Sequence, residues 1–196
     1  MDIIQVITQE LKVQKWQVEA AVKLIDEGNT IPFISRYRKE ATGSLNDEQL
    51  RTLHERLTYL RNLEEKKNQV LSSIEEQGKL TEELKKQILD AQTLVVVEDL
   101  YRPYRPKRRT RATIAREKGL EPLANIIMLQ MTEKPLEEEA KAFLSEEKEV
   151  LTAETAINGA KDIIAEHISD EADYRIYIRK LTVKQGSLSS AAKNPE

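Results

Sequence analysis

The residues best suited to do chemistry in this 196-residue chain are cations. Arg102, Arg105, Lys107, Arg108, Arg109, Arg111, Arg116 and Lys118 fall in one stretch, with Tyr101 and Tyr104 interleaved and Glu117 the only acid among them. Pro103 and Pro106 keep the first part of this stretch out of a helix, and a short helix is expected to follow. Arginines in a stiff loop ahead of a helix N-terminus would hold phosphates by charge and by free backbone N–H groups. The tyrosines would stack on unpaired bases. The same cations would equally serve structure, because Glu98 and Asp99 lie beside them and acids elsewhere would take them up in intramolecular or interdomain ion pairs. An ordinary solvated charged face is the third reading.

A second cluster, Arg36, Tyr37, Arg38, Lys39 and Glu40, follows Pro32 and Phe33. Alternation turns some of these side chains inward, where an arginine would bond to helix ends or carboxylates, so a structural role is expected, with phosphate binding as the alternative. Lys66, Lys67, Glu75, Glu76, Glu82, Glu83, Lys85 and Lys86 are expected on solvated helix faces. His54 and His167 are expected at the surface or at caps.

Other chemistry is excluded by residue type. With no cysteine, the chain has no thiol nucleophile, disulfide or thiolate metal site. Its two histidines are far outside the spacing of a zinc-binding pair. The six glycines occur singly, so no phosphate-cradling glycine loop forms, and no serine or threonine nucleophile motif is present. The expectation is a protein with no metal, no cofactor and no catalytic residue, hence not an enzyme. Charged residues make up 33% of the chain yet net to only −3, which argues against a generally basic nucleic-acid binder and still permits a local basic face. The start lacks a secretory pattern and no apolar run is long enough to span a bilayer, so a cytoplasmic protein with no membrane partner is expected.

The elements that must position these groups are helical. Ile3, Ile4 and Ile7 mark a first helix; Val13, Trp16, Ala20, Leu24 and Ile25 mark a second ending before Gly28, with Trp16 as a core anchor. Asn29 to Gly43 is a short helix or turn and then a loop. Asn46 and Gln49 form a capping box under a Leu45 and Leu50 staple. The stripe Leu50, Leu53, Leu57, Leu60, Leu63, Val70, Leu71 and Ile74 then runs to Gly78, predicting a spine helix of about 30 residues, roughly 45 Å long. Thr81, Thr110, Pro122, Pro135 and Thr152 open later helices, and Ser169 is read as the cap of the last. Val95 to Val97 have strand propensity but continue in a helical manner. The fold class is all-α, a multi-helical array around a long central helix. Residues 1–78 form an N-terminal unit, 79–181 a second unit with the basic loop, and 182–196 a linker-like end.

The run Ile31 to Gly43, IPFISRYRKEATG, and the run Glu98 to Arg111, EDLYRPYRPKRRTR, resemble the N-terminal helical region of the Tex family of bacterial transcription accessory proteins. Leu45 to Gly78 and Ala115 to Ala124, AREKGLEPLA, fit the same resemblance in the same order. It implies interleaved helix-turn-helix-like units, followed in the family by RNase H-like, helix-hairpin-helix and S1 domains, so that this chain is an N-terminal fragment. It further implies a role in transcription, with RNA or DNA bound mainly through those later domains and the transcription machinery as a partner. No family catalytic residue maps onto this sequence. Two readings follow: a scaffold module of a transcription-associated nucleic-acid-binding protein whose basic loop assists phosphate contact, or a structural or protein-interaction module docking onto the later domains.

Overall fold

The computed structural model describes residues 2–191. Among them are eleven α-helices, one 3-10 turn and no strand, only an isolated antiparallel bridge between Ser145 and Val150. The chain divides into two compact units, Met1–Val97 and Glu98–Glu196.

The first unit is built on its longest helix. α1 (Ile3–Leu11) starts where Asp2 accepts a hydrogen bond from the Gln5 N–H at 3.0 Å. It is followed by α2 (Lys15–Asp26), α3 (Ile31–Tyr37), α4 (Asp47–Glu76) and α5 (Glu82–Asp90). The capping box at the head of α4 is reciprocal, Gln49 N–H to Asn46 at 2.8 Å and Asn46 N–H to the Gln49 side chain at 3.0 Å. Leu45 and Leu50 are both buried there. The stripe Leu50, Leu53, Leu57, Leu60, Leu63, Lys67, Val70 and Ile74 is buried along the whole length of α4. α1, α2, α3 and α5 each pack on α4, bringing Ile7, Val18, Ala21, Ile34 and Ile88 against it. A leucine fully buried in such a seam contributes about 1.5–3 kcal/mol, so the eight-position stripe is the main support of this unit. α5 belongs with it, capped by Thr81, which accepts from the Leu84 N–H at 3.2 Å.

Two expectations are corrected here. Lys67 is not on a solvated face: it is 1% exposed. Trp16 is not a core anchor but 52% exposed, because the buried phase of α2 runs through Val18 and Ala21, two residues out of step with it.

α6 (Leu94–Tyr101) carries the chain over the division as a helix through Val95 to Val97. In the second unit α7 (Arg111–Glu117), α8 (Glu121–Leu129), α9 (Leu136–Lys141) and α11 (Ala172–Gln185) all pack on α10 (Ala153–Asp170). The core here is rich in alanine, with Ala112, Ala115, Ala156 and Ala160 beside Leu120, Leu123 and Ile163. Small side chains let α7 and α10 approach closely. At Gly159 of α10 an added Cβ would lie 2.4 Å from Leu120 Cδ1. Thr152 caps α10 by accepting from the Thr155 N–H at 3.1 Å. Ser169 is not the cap of the last helix: it lies within α10, and Glu171 occupies the junction with α11. α11 continues to Gln185, into the segment expected as linker, and residues 192–196 of that segment lie outside the described residues.

Candidate nucleic-acid interface

The arginine-rich loop starts as a 3-10 turn at Arg102–Tyr104, runs extended through Pro106, and ends where Thr110 caps α7 by accepting from the Thr113 N–H at 3.1 Å. Facing it, α10 carries Asp162, Glu166 and Asp170 at successive four-residue intervals, a spacing that puts all three carboxylates on one side of the helix. Arg102 Nε donates to Asp170 Oδ1 at 3.1 Å, and Lys107 Nζ donates to Asp170 Oδ2 while lying 3.6 Å from Glu166 Oε1. Arg116 Nη1 donates to Glu166 Oε2 at 2.6 Å, and the Thr110 hydroxyl donates to Glu166 Oε1 at 3.0 Å. Arg109 Nη2 donates to Glu117 at 2.7 Å.

The remaining cations are held less firmly. Arg105 stands 3.9 Å from Glu98, Arg111 3.9 Å from Asp162, and Lys118 3.8 Å from the Glu149 carboxylate. The Arg111 side chain is 87% exposed. Arg108 meets no carboxylate among the described residues. Tyr101 and Tyr104 are half-buried. Burial would raise the Glu166 carboxyl, but the bonds from Arg116 and Thr110 and the charge of Lys107 hold it below the usual glutamate range. A carboxylate that accepts this many donors is spent on holding the loop to α10.

A pair of arginines missed at the sequence level closes the same unit. Asp99 on α6, only 3% exposed, accepts from Arg175 Nε at 2.8 Å and from Arg179 Nη1 and Nη2 at 2.8 and 3.2 Å. Arg175 and Arg179 are one turn apart on α11, so one aspartate anchors that helix twice. Their i, i+4 spacing was the available signal. Burial would raise the Asp99 carboxyl, and the two guanidiniums hold it down instead.

The second basic cluster behaves differently. Arg36, Tyr37, Arg38 and Lys39 are all exposed, at the C-terminal end of α3 and just beyond it. The inward structural role expected for them is not what the fold provides. Arg38 lies over the Phe33 ring, 5.3 Å from its centroid, and donates a long 3.5 Å bond to the Tyr37 carbonyl. Arg36, Arg38 and Lys39 form no ion pair with any carboxylate among the described residues. His54 and His167 are exposed, as expected.

Among the described residues no group of three or more histidine, aspartate and glutamate side chains is placed to hold a metal ion, and no helix is long and apolar enough to cross a membrane. The arrangement is that of an all-helical module with cations in two settings, one largely paired with carboxylates within the fold and one open to solvent. Residues 1–75 match the Tex-like protein N-terminal domain, and residues 130–195 match the Tex central region-like family. The chain belongs to the Tex family, spanning its N-terminal part. It is 50% identical over 188 residues to YdcI of Bacillus subtilis, covering 96% of this chain and 26% of that protein. It is 49% identical over 173 residues to the transcriptional accessory protein Tex of Neisseria gonorrhoeae, covering 88% of this chain and 22% of that protein. To the human S1 RNA-binding domain-containing protein 1 it is 31% identical over 186 residues, covering 94% of this chain and 18% of that protein. The chain thus spans about a quarter or less of the length of these relatives.

Proposed function

We propose that this chain is a non-catalytic helical scaffold module of a transcription-associated nucleic-acid-binding protein, and that its arginine-rich loop serves mainly to lock its own helices together. The observation that carries this reading is the attachment of Arg102, Lys107 and Arg116 to Asp170 and Glu166 on α10. Guanidinium groups bonded to carboxylates have their donors occupied and their charge offset, which leaves little for a phosphate. Family membership and the names of the Neisseria and human relatives support the association with transcription and RNA. The principal nucleic-acid contact is assigned to the RNase H-like, helix-hairpin-helix and S1 domains of the longer family proteins. A second reading, phosphate contact by the loop itself, is favoured only by Arg108 and the loosely held Arg105 and Arg111.

The test compares the chain with a variant carrying Lys107→Met and Arg116→Met. The scaffold reading expects a lower melting temperature and oligonucleotide affinity altered by less than about twofold, since the removed pairs act inside the fold. Unchanged melting with a salt-sensitive loss of binding would overturn it in favour of the loop as a direct contact.

A further inference from the structure

We propose that the turn at the end of α3 is a binding site for single-stranded nucleic acid, in which Arg36, Arg38 and Lys39 take the phosphates and Tyr37 stacks on a base. The proposal deepens the reading above and rests on it only for the association of this chain with nucleic acid.

The first support is charge that the fold leaves unused. Three cations lie within four consecutive positions, all exposed and none matched by a carboxylate, whereas most of the loop cations of the second unit are matched. A helix C-terminus favours cations, and this accounts for Arg36 in the last turn and Arg38 at the cap. It does not account for Lys39 beyond the helix, nor for the aromatic rings presented beside the charges. Tyr37 is 67% exposed. Its ring centroid lies 5.3 Å from that of Phe33 with the planes tilted by 44°, so the two rings do not cover each other face to face. Phe33 meets the Arg38 guanidinium instead, which orients that cation. Arg36, Tyr37, Arg38 and Lys39, with Glu40 and Ala41, line an open hollow of about 400 Å³ in which cations outnumber the single acid.

The second support is that the platform is rigid before any ligand arrives. Thr42 is fully buried; its hydroxyl donates to the Arg38 carbonyl at 3.2 Å and its N–H to the same carbonyl at 3.1 Å. The Ser44 N–H donates to the Lys39 carbonyl at 2.7 Å. From α2, Gln17 Nε2 donates to the carbonyls of Thr42 and Gly43 at 3.2 and 2.9 Å. The backbone that carries Arg38 and Lys39 is therefore bonded on both sides, which lowers the ordering cost of binding.

Unpaired cations beside an exposed ring face match a single strand, whose bases are free to stack and whose phosphates follow at short intervals. An acidic peptide would satisfy the charges but leave the Tyr37 face unused. A duplex hides its base faces altogether.

The experiment measures fluorescence anisotropy of labelled oligonucleotides of about 12 residues, thymidylate and uridylate strands and a duplex of the same length, against the full chain between about 50 and 200 mM salt. The expected result is binding of a single strand that weakens roughly eighteenfold over that range, as three phosphate contacts require. The triple variant Arg36→Ala, Arg38→Ala, Lys39→Ala is expected to bind at least tenfold more weakly with a flattened salt dependence. Tyr37→Leu keeps every charge; it is expected to lose about fivefold or more without changing the salt slope. Should the triple variant lose helical circular dichroism, Tyr37→Leu and the single substitution Lys39→Gln decide in its place.

Absence of binding by the folded chain, or binding that all these variants retain, would overturn the site. So would a glutamate-rich peptide that displaces the strand and binds more tightly, which would make the turn a protein-docking surface. Failure of the scaffold reading is seen separately, as loss of binding in the Lys107→Met, Arg116→Met variant at unchanged melting temperature.

Discussion

The Nζ of Lys67 donates to the carbonyl oxygen of Leu89 at 2.8 Å, joining the middle of the spine helix to the end of the short helix packed beside it. Leu89 is in the last turn of α5, where carbonyls have no partner within their own helix. The buried ammonium supplies one and lies 3.1 Å from Glu64 Oε1 one turn back on α4. The lysine thus fastens α5 to α4 from inside.

Replacing Lys67 by methionine keeps the aliphatic stem and removes the donor. The Leu89 carbonyl is then buried against an apolar group, and Glu64 loses a cation, so the first unit is expected to lose about 2–4 kcal/mol. Urea unfolding reads this directly. A midpoint within experimental error of the parent would show that the bond to Leu89 contributes nothing net, and hydrogen exchange should place the loss in α5.

Sequence reading reached the helices more readily than the pairs. The Asn46 and Gln49 box, the leucine stripe and Gly78 delimit α4 in the amino-acid order, because capping and periodic burial are local properties. The position of Lys67 was also legible, since it stands four residues after Leu63 and three before Val70 on the buried stripe. Residue type misled, for a lysine is almost never fully buried unless it is paired. Trp16 misled in the opposite way. Its size suggested the core, but phase decides burial on a 12-residue amphipathic helix, and Val18 and Ala21 set that phase. The partners of the arginine-rich loop were out of reach. Asp170 lies 68 positions from Arg102, and nothing in either segment specifies that α10 turns its acids toward the loop. The α3 turn was misread because alternation was applied to a segment that leaves a helix, where it does not hold.

Gly43 offers a second test, aimed at the platform of the proposed site. Its φ is +58°, and an added Cβ would lie 2.4 Å from Trp16 Cη2 and 2.7 Å from Gln17 Nε2. Alanine there meets the left-handed backbone cost of about 1 kcal/mol and must also displace the indole or the Gln17 amide that holds the turn. Gly43→Ala is expected to destabilise the first unit by about 2 kcal/mol and to change the emission of Trp16, the sole tryptophan. Emission and midpoint both unchanged would mean that the turn has an alternative packing. The platform would then not be preformed.

Acid should act on the second unit through its carboxylates. Asp99 is buried and Glu166 half-buried, which alone would raise them, yet the hydrogen bonds and charges of their partners hold both below their ordinary values. A group depressed in the folded state binds its proton more readily when unfolded. Its stabilisation is therefore complete above the unfolded value of about 4 and is lost as pH falls through the folded value. Asp99→Asn and Glu166→Gln remove that contribution at every pH. Each is expected to lower stability at pH 6 by about 1–2 kcal/mol, less than for a fully enclosed pair because the guanidiniums of Arg175, Arg179 and Arg116 keep contact with water. As the pH drops below 4 the parent chain should lose stability faster than either variant, so the curves converge. Urea midpoints at pH 6, 4 and 3 measure the convergence, and hydrogen exchange of α11 should rise in Asp99→Asn alone, because Asp99 bonds both Arg175 and Arg179 whereas Glu166 bonds neither. Parallel curves across that interval would mean that neither carboxylate titrates below its unfolded value. The clamp on α11 would then rest on packing, with the ion pairs as bystanders.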